Sequence, residues 1–102
     1  MLETSKANGQ NFTDSVRLIH AVGMHARPAV KLTKLAKKFK AHISIRASDA
    51  AEWTNAKSVA KVMALRAARD SIIEINASGE DAEAAVAALV NLVATDFPES
   101  SP

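Results

Sequence analysis

The sequence predicts an α/β (α+β) two-layer open-faced sandwich: a four-stranded antiparallel sheet with three helices on one face, in the order βαββαβα. Three observations carry this. Segments with apolar residues at every second position alternate with segments whose apolar residues recur at i, i+3, i+4 and i+7. Each strand and each helix has a single apolar face, which a sheet covered by helices on one side buries most economically. The chain has 102 residues and no cysteine, enough for one apolar core and without any disulfide to replace it.

The elements follow in order. Residues 1–13 are rich in Ser, Lys, Asn and Gln and read as a flexible N-terminal tail or linker. The domain is placed at residues 14–97, with 98–102 as a C-terminal tail. Val16, Leu18 and Ile19 open a strand that is expected to end near Val22-Gly23. From Ala26 to Lys40 the period becomes helical, with Leu32, Leu35, Ala36 and Phe39 on one face. His42–Ala47 alternates through Ile43 and Ile45. Asp49–Glu52 forms a turn, and Trp53-Thr54 a short paired strand. Asn55 or Ser58 caps a second helix carrying Val59, Val62, Met63 and Leu65. Ser71–Ala77 alternates through Ile73 and Ile75. Ser78-Gly79-Glu80-Asp81 offers the cap of a third helix, whose stripe is Ala82, Ala85, Val86, Leu89, Val90 and Val93.

Composition excludes several classes. The 13 Lys+Arg against 11 Asp+Glu leave a charge of +2, too small by itself to argue for nucleic acid. Lys31, Lys34, Lys37, Lys38 and Lys40 form a basic helix face without the aromatic residues that stack bases; it reads as a solvated face or as one that steers an acidic partner. The longest apolar run, Ala84–Val90, is far short of the roughly 20 residues of a membrane helix. With no export signal and no cysteine, the expected location is the cytoplasm. No His or acid has metal-ligand spacing, so no metal or cofactor is expected; His20 and His42 read as structural or solvent-facing.

Chemistry concentrates in Gly23-Met24-His25-Ala26-Arg27-Pro28-Ala29. Gly23 permits a tight turn, and Pro28 is at home in a first helical turn, whose amides have no intrahelical partner. His25 therefore falls at or beside the N-cap. The backbone amides of Ala26 and Arg27 and the partial positive charge of the helix start make an anion site, to which Arg27 adds a guanidinium suited to phosphate. A further positive charge is disfavoured there, so the ring is expected to offer a neutral, nucleophilic nitrogen. The bland alternative stays open: a capping histidine and a surface arginine.

The same segment resembles the active-site region of the HPr family, the histidine-containing phosphocarriers of the bacterial phosphoenolpyruvate-dependent phosphotransferase system. The resemblance continues through Asn55-Ala-Lys-Ser-Val59 and Val62-Met63-Ala-Leu65 to Gly79-Glu-Asp-Ala-Glu83. It implies an HPr-like fold, phosphorylation of His25 on Nδ1 by enzyme I, support of the phosphate by Arg27, and onward transfer to a histidine of an enzyme IIA domain in sugar uptake. Such a protein is a carrier with no independent turnover, expected to act as a monomer. Ser58 lies where some members carry a serine modified by HPr kinase, although a plain helix cap also accounts for it. Val30 falls nearly opposite the apolar stripe, beside Thr33, Lys34 and Lys37. The resemblance makes that face, with Val59, Ala60 and Lys61 of the second helix, the partner-docking surface. A regulatory, nitrogen-branch carrier and an HPr-fold interaction module without phosphotransfer are the alternatives. A phosphohistidine hydrolase ranks last, since no acid is evident beside His25. Departures from the family pattern are Lys61 and Arg66, where glycine is common, and a loop Ala47–Trp53 without hairpin glycines.

Overall fold

Alternation and helical stripes resolve into seven elements in the computed structural model, which describes residues 11–98. They are β1 (Asn11–Arg17), α1 (Ala26–Ala36), β2 (His42–Ala47), β3 (Thr54–Asn55), α2 (Val59–Ala64), β4 (Ile72–Ser78) and α3 (Ala82–Ala94). All pairings are antiparallel and the strand order is β1-β4-β2-β3. The order of elements is the one the sequence predicts.

Register explains why one face is dry. Val16 pairs with Ile73, Ile45 with Ile75, and Ile43 with Ala77, so the apolar members of three strands share a side. Against them pack Ala29, Leu32 and Ala36 of α1, Val62 of α2, and Ala85, Leu89 and Val93 of α3, all buried. The other face stays polar and open: Arg46 binds Glu74 at 2.7 Å and lies 4.5 Å from the Trp53 ring centre. Asn76 donates to Asn11 and Thr13 across β1.

Several boundaries differ from expectation. β1 takes in Asn11–Thr13, assigned above to the tail, because Phe12 pairs with Ala77 and packs on the core. Residues 1–10 and 99–102 of the predicted tails lie outside the described residues, whereas Pro98, also assigned to a tail, accepts from the Lys31 ammonium at 2.9 Å. The strand stops at Arg17 rather than near Val22, because its partner β4 begins opposite it at Ile72. Leu18 then turns into the core, its amide bound to Ser71 O at 2.9 Å. α1 ends at Ala36, not Lys40: Lys38 and Phe39 close a tighter turn onto Leu35 and Ala36. Thr33, expected among the exposed lysines, is buried at 1% exposure with its Oγ1 unpartnered among the described residues. It lies between Ala29 and Ala36 on the helix, so the apolar arc is wider than the stripe suggested. Met63 faces out at 39% exposure, whereas Leu92, outside the predicted stripe, is buried.

Ser58 caps α2, its Oγ accepting from the Lys61 amide at 3.3 Å. Asp81 occupies the N-cap of α3 without capping it. Its carboxylate instead reaches across to the amides of Lys40, at 2.9 Å, and Ala41, at 2.8 Å, joining the start of α3 to the α1–β2 turn. The Lys40 amide holds this carboxyl below the usual aspartate range, aided by the Ala41 amide and the charge of Lys57. A lowered folded-state value means that the stabilisation is complete above the ordinary carboxylate range and disappears as pH falls through the lowered value. Asp81→Asn is therefore expected to reduce the urea midpoint at neutral pH, with the gap from wild type closing as pH falls below the ordinary carboxylate range and through the lowered value. A gap that is constant with pH contradicts this.

Candidate functional site

The site is built where β1 hands over to α1. Gly23 has φ 76°, a left-handed conformation that glycine alone adopts without strain. Its amide binds His20 O at 3.0 Å, and its carbonyl accepts from the His25 amide at 3.1 Å. The next residue, Met24, is buried and anchors its amide on Ala67 O at 2.9 Å. This leaves His25 as the N-cap of α1 in extended conformation, φ −114°.

His25 is exposed, and its imidazole makes no capping hydrogen bond. The capping alternative is thereby removed and the ring stays available for chemistry. The Ala29 amide closes the first turn on His25 O at 2.9 Å. Ala26 and Arg27 supply the two earlier amides of the helix start, which an α-helix leaves without intrahelical partners, and Pro28 has none to supply. The exposed His25 ring and the amides of Ala26 and Arg27 thus lie together at the start of α1.

Beside them lies a cleft of about 250 Å³ lined by His20, Arg27, Pro28, Lys31, Asp96, Phe97 and Pro98. Three of these seven, Asp96, Phe97 and Pro98, carry no site signal in the sequence. The His20 ring centre is 5.3 Å from that of His25, and His20 Nδ1 is 2.8 Å from Asp96 Oδ1. An acid therefore does approach the site, one imidazole removed from His25. The signal was not local: 76 residues separate His20 from Asp96. Lys31 belongs to this cleft rather than to a solvated basic face, since its ammonium donates to Phe97 O at 3.3 Å and Pro98 O at 2.9 Å. His42 is exposed at the start of β2, away from His25, in a hollow of about 470 Å³ shared with Lys40, Trp53 and Lys57. That hollow is larger, but neither a helix start nor an arginine lines it.

Around the α1 start the surface is open. Val30 is 47% exposed and Lys34 and Lys37 are exposed; Ala26, Arg27, Val30, Lys31 and Lys34 line a shallow apolar depression. From α2, Ala60 and Lys61 are exposed, whereas Val59 is half-buried against the core. Ser58 is half-buried at the N-cap of α2. Arg66 takes the left-handed conformation, φ 52°, so the chain makes there the turn that a glycine would ease, and strain falls on the arginine. No residue of the Ala47–Trp53 loop has positive φ, so that loop needs no glycine.

Comparison with known proteins agrees with this geometry. The family model for the HPr component phosphorylation site of the phosphotransferase system matches residues 12–95. The phosphocarrier protein HPr of Neisseria meningitidis serogroup A is 34% identical over 85 residues, covering 83% of this chain and 93% of that protein. The phosphocarrier protein NPr of Escherichia coli K12 is 36% identical over 85 residues, with the same coverage of 83% and 93%. Among solved structures, HPr of Thermoanaerobacter tengcongensis superposes with TM-score 0.79 at 30% identity, covering 88% of this chain and 99% of that one.

Proposed function

The chain belongs to the HPr family of phosphotransferase-system phosphocarriers, proteins that carry phosphoryl groups and are not independent enzymes, and from that premise we propose that His25 is the residue that carries the phosphoryl group here. The supporting observation is an exposed imidazole, uncommitted to capping, at the start of α1. In the reaction, Nδ1 of His25 attacks phosphorus: the P–N bond forms as the bond from phosphorus to the enzyme I donor breaks. The amides of Ala26 and Arg27 and the guanidinium of Arg27 offset the charge on the phosphoryl oxygens. Transfer to the histidine of an enzyme IIA domain is the same step in reverse with a new partner, and it serves sugar uptake. The location that suits this exchange is the cytoplasm. Among the described residues no helix is long and apolar enough to cross a membrane.

Docking follows from the same face. Val30 supplies an apolar centre, Lys34 and Lys37 a basic rim, and Val59, Ala60 and Lys61 the contribution of α2. Ser58 is a candidate site for HPr kinase: a phosphate there would sit at the start of α2 and add negative charge beside the docking face. The similarity to NPr favours one further reading, a regulatory nitrogen-branch carrier.

The test is incubation of the chain with enzyme I and labelled phosphoenolpyruvate. Acid-labile, base-stable label on His25 is the expected result. No label with any enzyme I would leave an interaction module. Faster labelling by the nitrogen-branch enzyme I than by the sugar-branch enzyme I would move the chain to the regulatory branch.

A further inference from the structure

His20 is held more firmly than a loop histidine needs to be. Its Nδ1 faces Asp96 Oδ1 at 2.8 Å, Phe97 meets its ring edge-on at 5.9 Å, and His25 lies 5.3 Å away at an interplanar angle of 35°. Its backbone carbonyl accepts from Gly23. Asp96 itself sits in an unusual place. The end of α3 is a Schellman turn, with the Phe97 amide on Leu92 O at 2.9 Å and the Asp96 amide on Val93 O at 3.1 Å. Asp96 occupies the left-handed position of that turn, φ 60°, where glycine is the favoured residue. A strained acid at a position suited to glycine is accounted for here by its carboxylate, which fixes the imidazole beside His25.

We propose that His20, clamped by Asp96, is a positioning residue for the phosphoryl group on His25, contributing a hydrogen-bond donor and, when protonated, a positive charge to the phosphoryl oxygens. The proposal rests on the phosphocarrier reading above. With Nδ1 committed to Asp96, the other ring nitrogen is the one left for the phosphoryl group. The charged or titratable groups facing this position are Asp96 from the end of α3, and His25, Arg27 and Lys31 from α1. The hold on phosphate is thus expected to tighten as pH falls from about 8 to about 6, in a way that depends on His20.

The test measures phosphoryl exchange between phosphorylated enzyme I and the full chain at equilibrium, from pH 8 to pH 6, in wild type, His20→Asn, His20→Phe and Asp96→Asn. His20→Phe keeps a ring beside Phe97 without a titrating group. The ratio of the wild-type constant to that of either His20 variant cancels every contribution that does not involve His20. That ratio is expected to grow about threefold as the pH falls, the size of one exposed charge interaction, and the growth is expected to shrink for Asp96→Asn. A pH-independent ratio for both His20 variants, with His25 labelled normally, overturns this proposal alone. Wild type that takes no label on His25 overturns the phosphocarrier reading, and this proposal with it.

Discussion

His25→Ala is expected to remain folded and to take up no phosphoryl group from enzyme I. The two halves of this result have separate causes. The ring is exposed and makes no capping hydrogen bond, so its removal takes away little that holds the fold; surface changes of this kind cost under about 0.5 kcal/mol. In the proposed reaction, however, the phosphoryl group is bonded to that ring during the carrying step, and no amide or guanidinium can replace a nucleophile. Uptake should fall below detection while the thermal midpoint stays within a few degrees of wild type. Arg27→Ala should be graded instead, slowing uptake about 10- to 100-fold, because it removes charge stabilisation and leaves the acceptor in place. Labelled phosphate on His20 in the His25→Ala chain would show that the acceptor had been assigned to the wrong ring. Unchanged labelling would remove the acceptor role from both the helix start and its motif.

How much of this was legible in the sequence depended on distance along the chain. The strand alternation through Ile43, Ile45, Ile73 and Ile75 and the stripe of α1 are local, and each reports its own burial. The helix start at His25 was legible because Gly23 and Pro28 bracket it with backbone constraints that act within a turn. The exposure of Val30 followed from helical geometry. What escaped was set by partners far away. Leu18 turns inward because β4 has run out, a fact about residue 72 and not about residue 18. Asp81 looks like a cap from its position and its neighbours, yet its carboxylate serves the amides of Lys40 and Ala41. His20, without any local signal, becomes part of the site because the end of α3 brings Asp96 to it. Thr33 shows the same limit within a helix: the lysines beside it marked that face as wet, but the packing of α1 covers it.

Gly23→Ala is expected to be the most damaging single-methyl change at the site, and its effect begins in the fold rather than in the chemistry. At φ 76° the backbone is in the left-handed region, which costs an L-residue roughly 1–2 kcal/mol. The added Cβ would lie 2.5 Å from Ala67 O and 3.3 Å from both Ala68 Cα and Arg69 N. All three are backbone atoms, so no rotamer change relieves the overlap. The Met24 amide is bonded to that same Ala67 carbonyl at 2.9 Å, and moving the carbonyl away sacrifices the anchor. Strain and displaced backbone together should remove about 3 kcal/mol, a large part of the 5–15 kcal/mol typical of a domain. For a domain of this size, that lowers the thermal midpoint by at least about 10 °C. The site should suffer even below that midpoint, since Gly23 bonds to the backbone of both His20 and His25, and a shift there moves both rings. Slower labelling at temperatures where circular dichroism still reports a folded chain is the expected signature. Val22→Ala, next door but 67% exposed, should change stability by less than about 0.5 kcal/mol and serves as the control. A Gly23→Ala chain melting within 2–3 °C of wild type, by roughly 0.5 kcal/mol or less, would mean that the Ala67–Arg69 turn yields readily, and that the glycine is not what holds His25 in place.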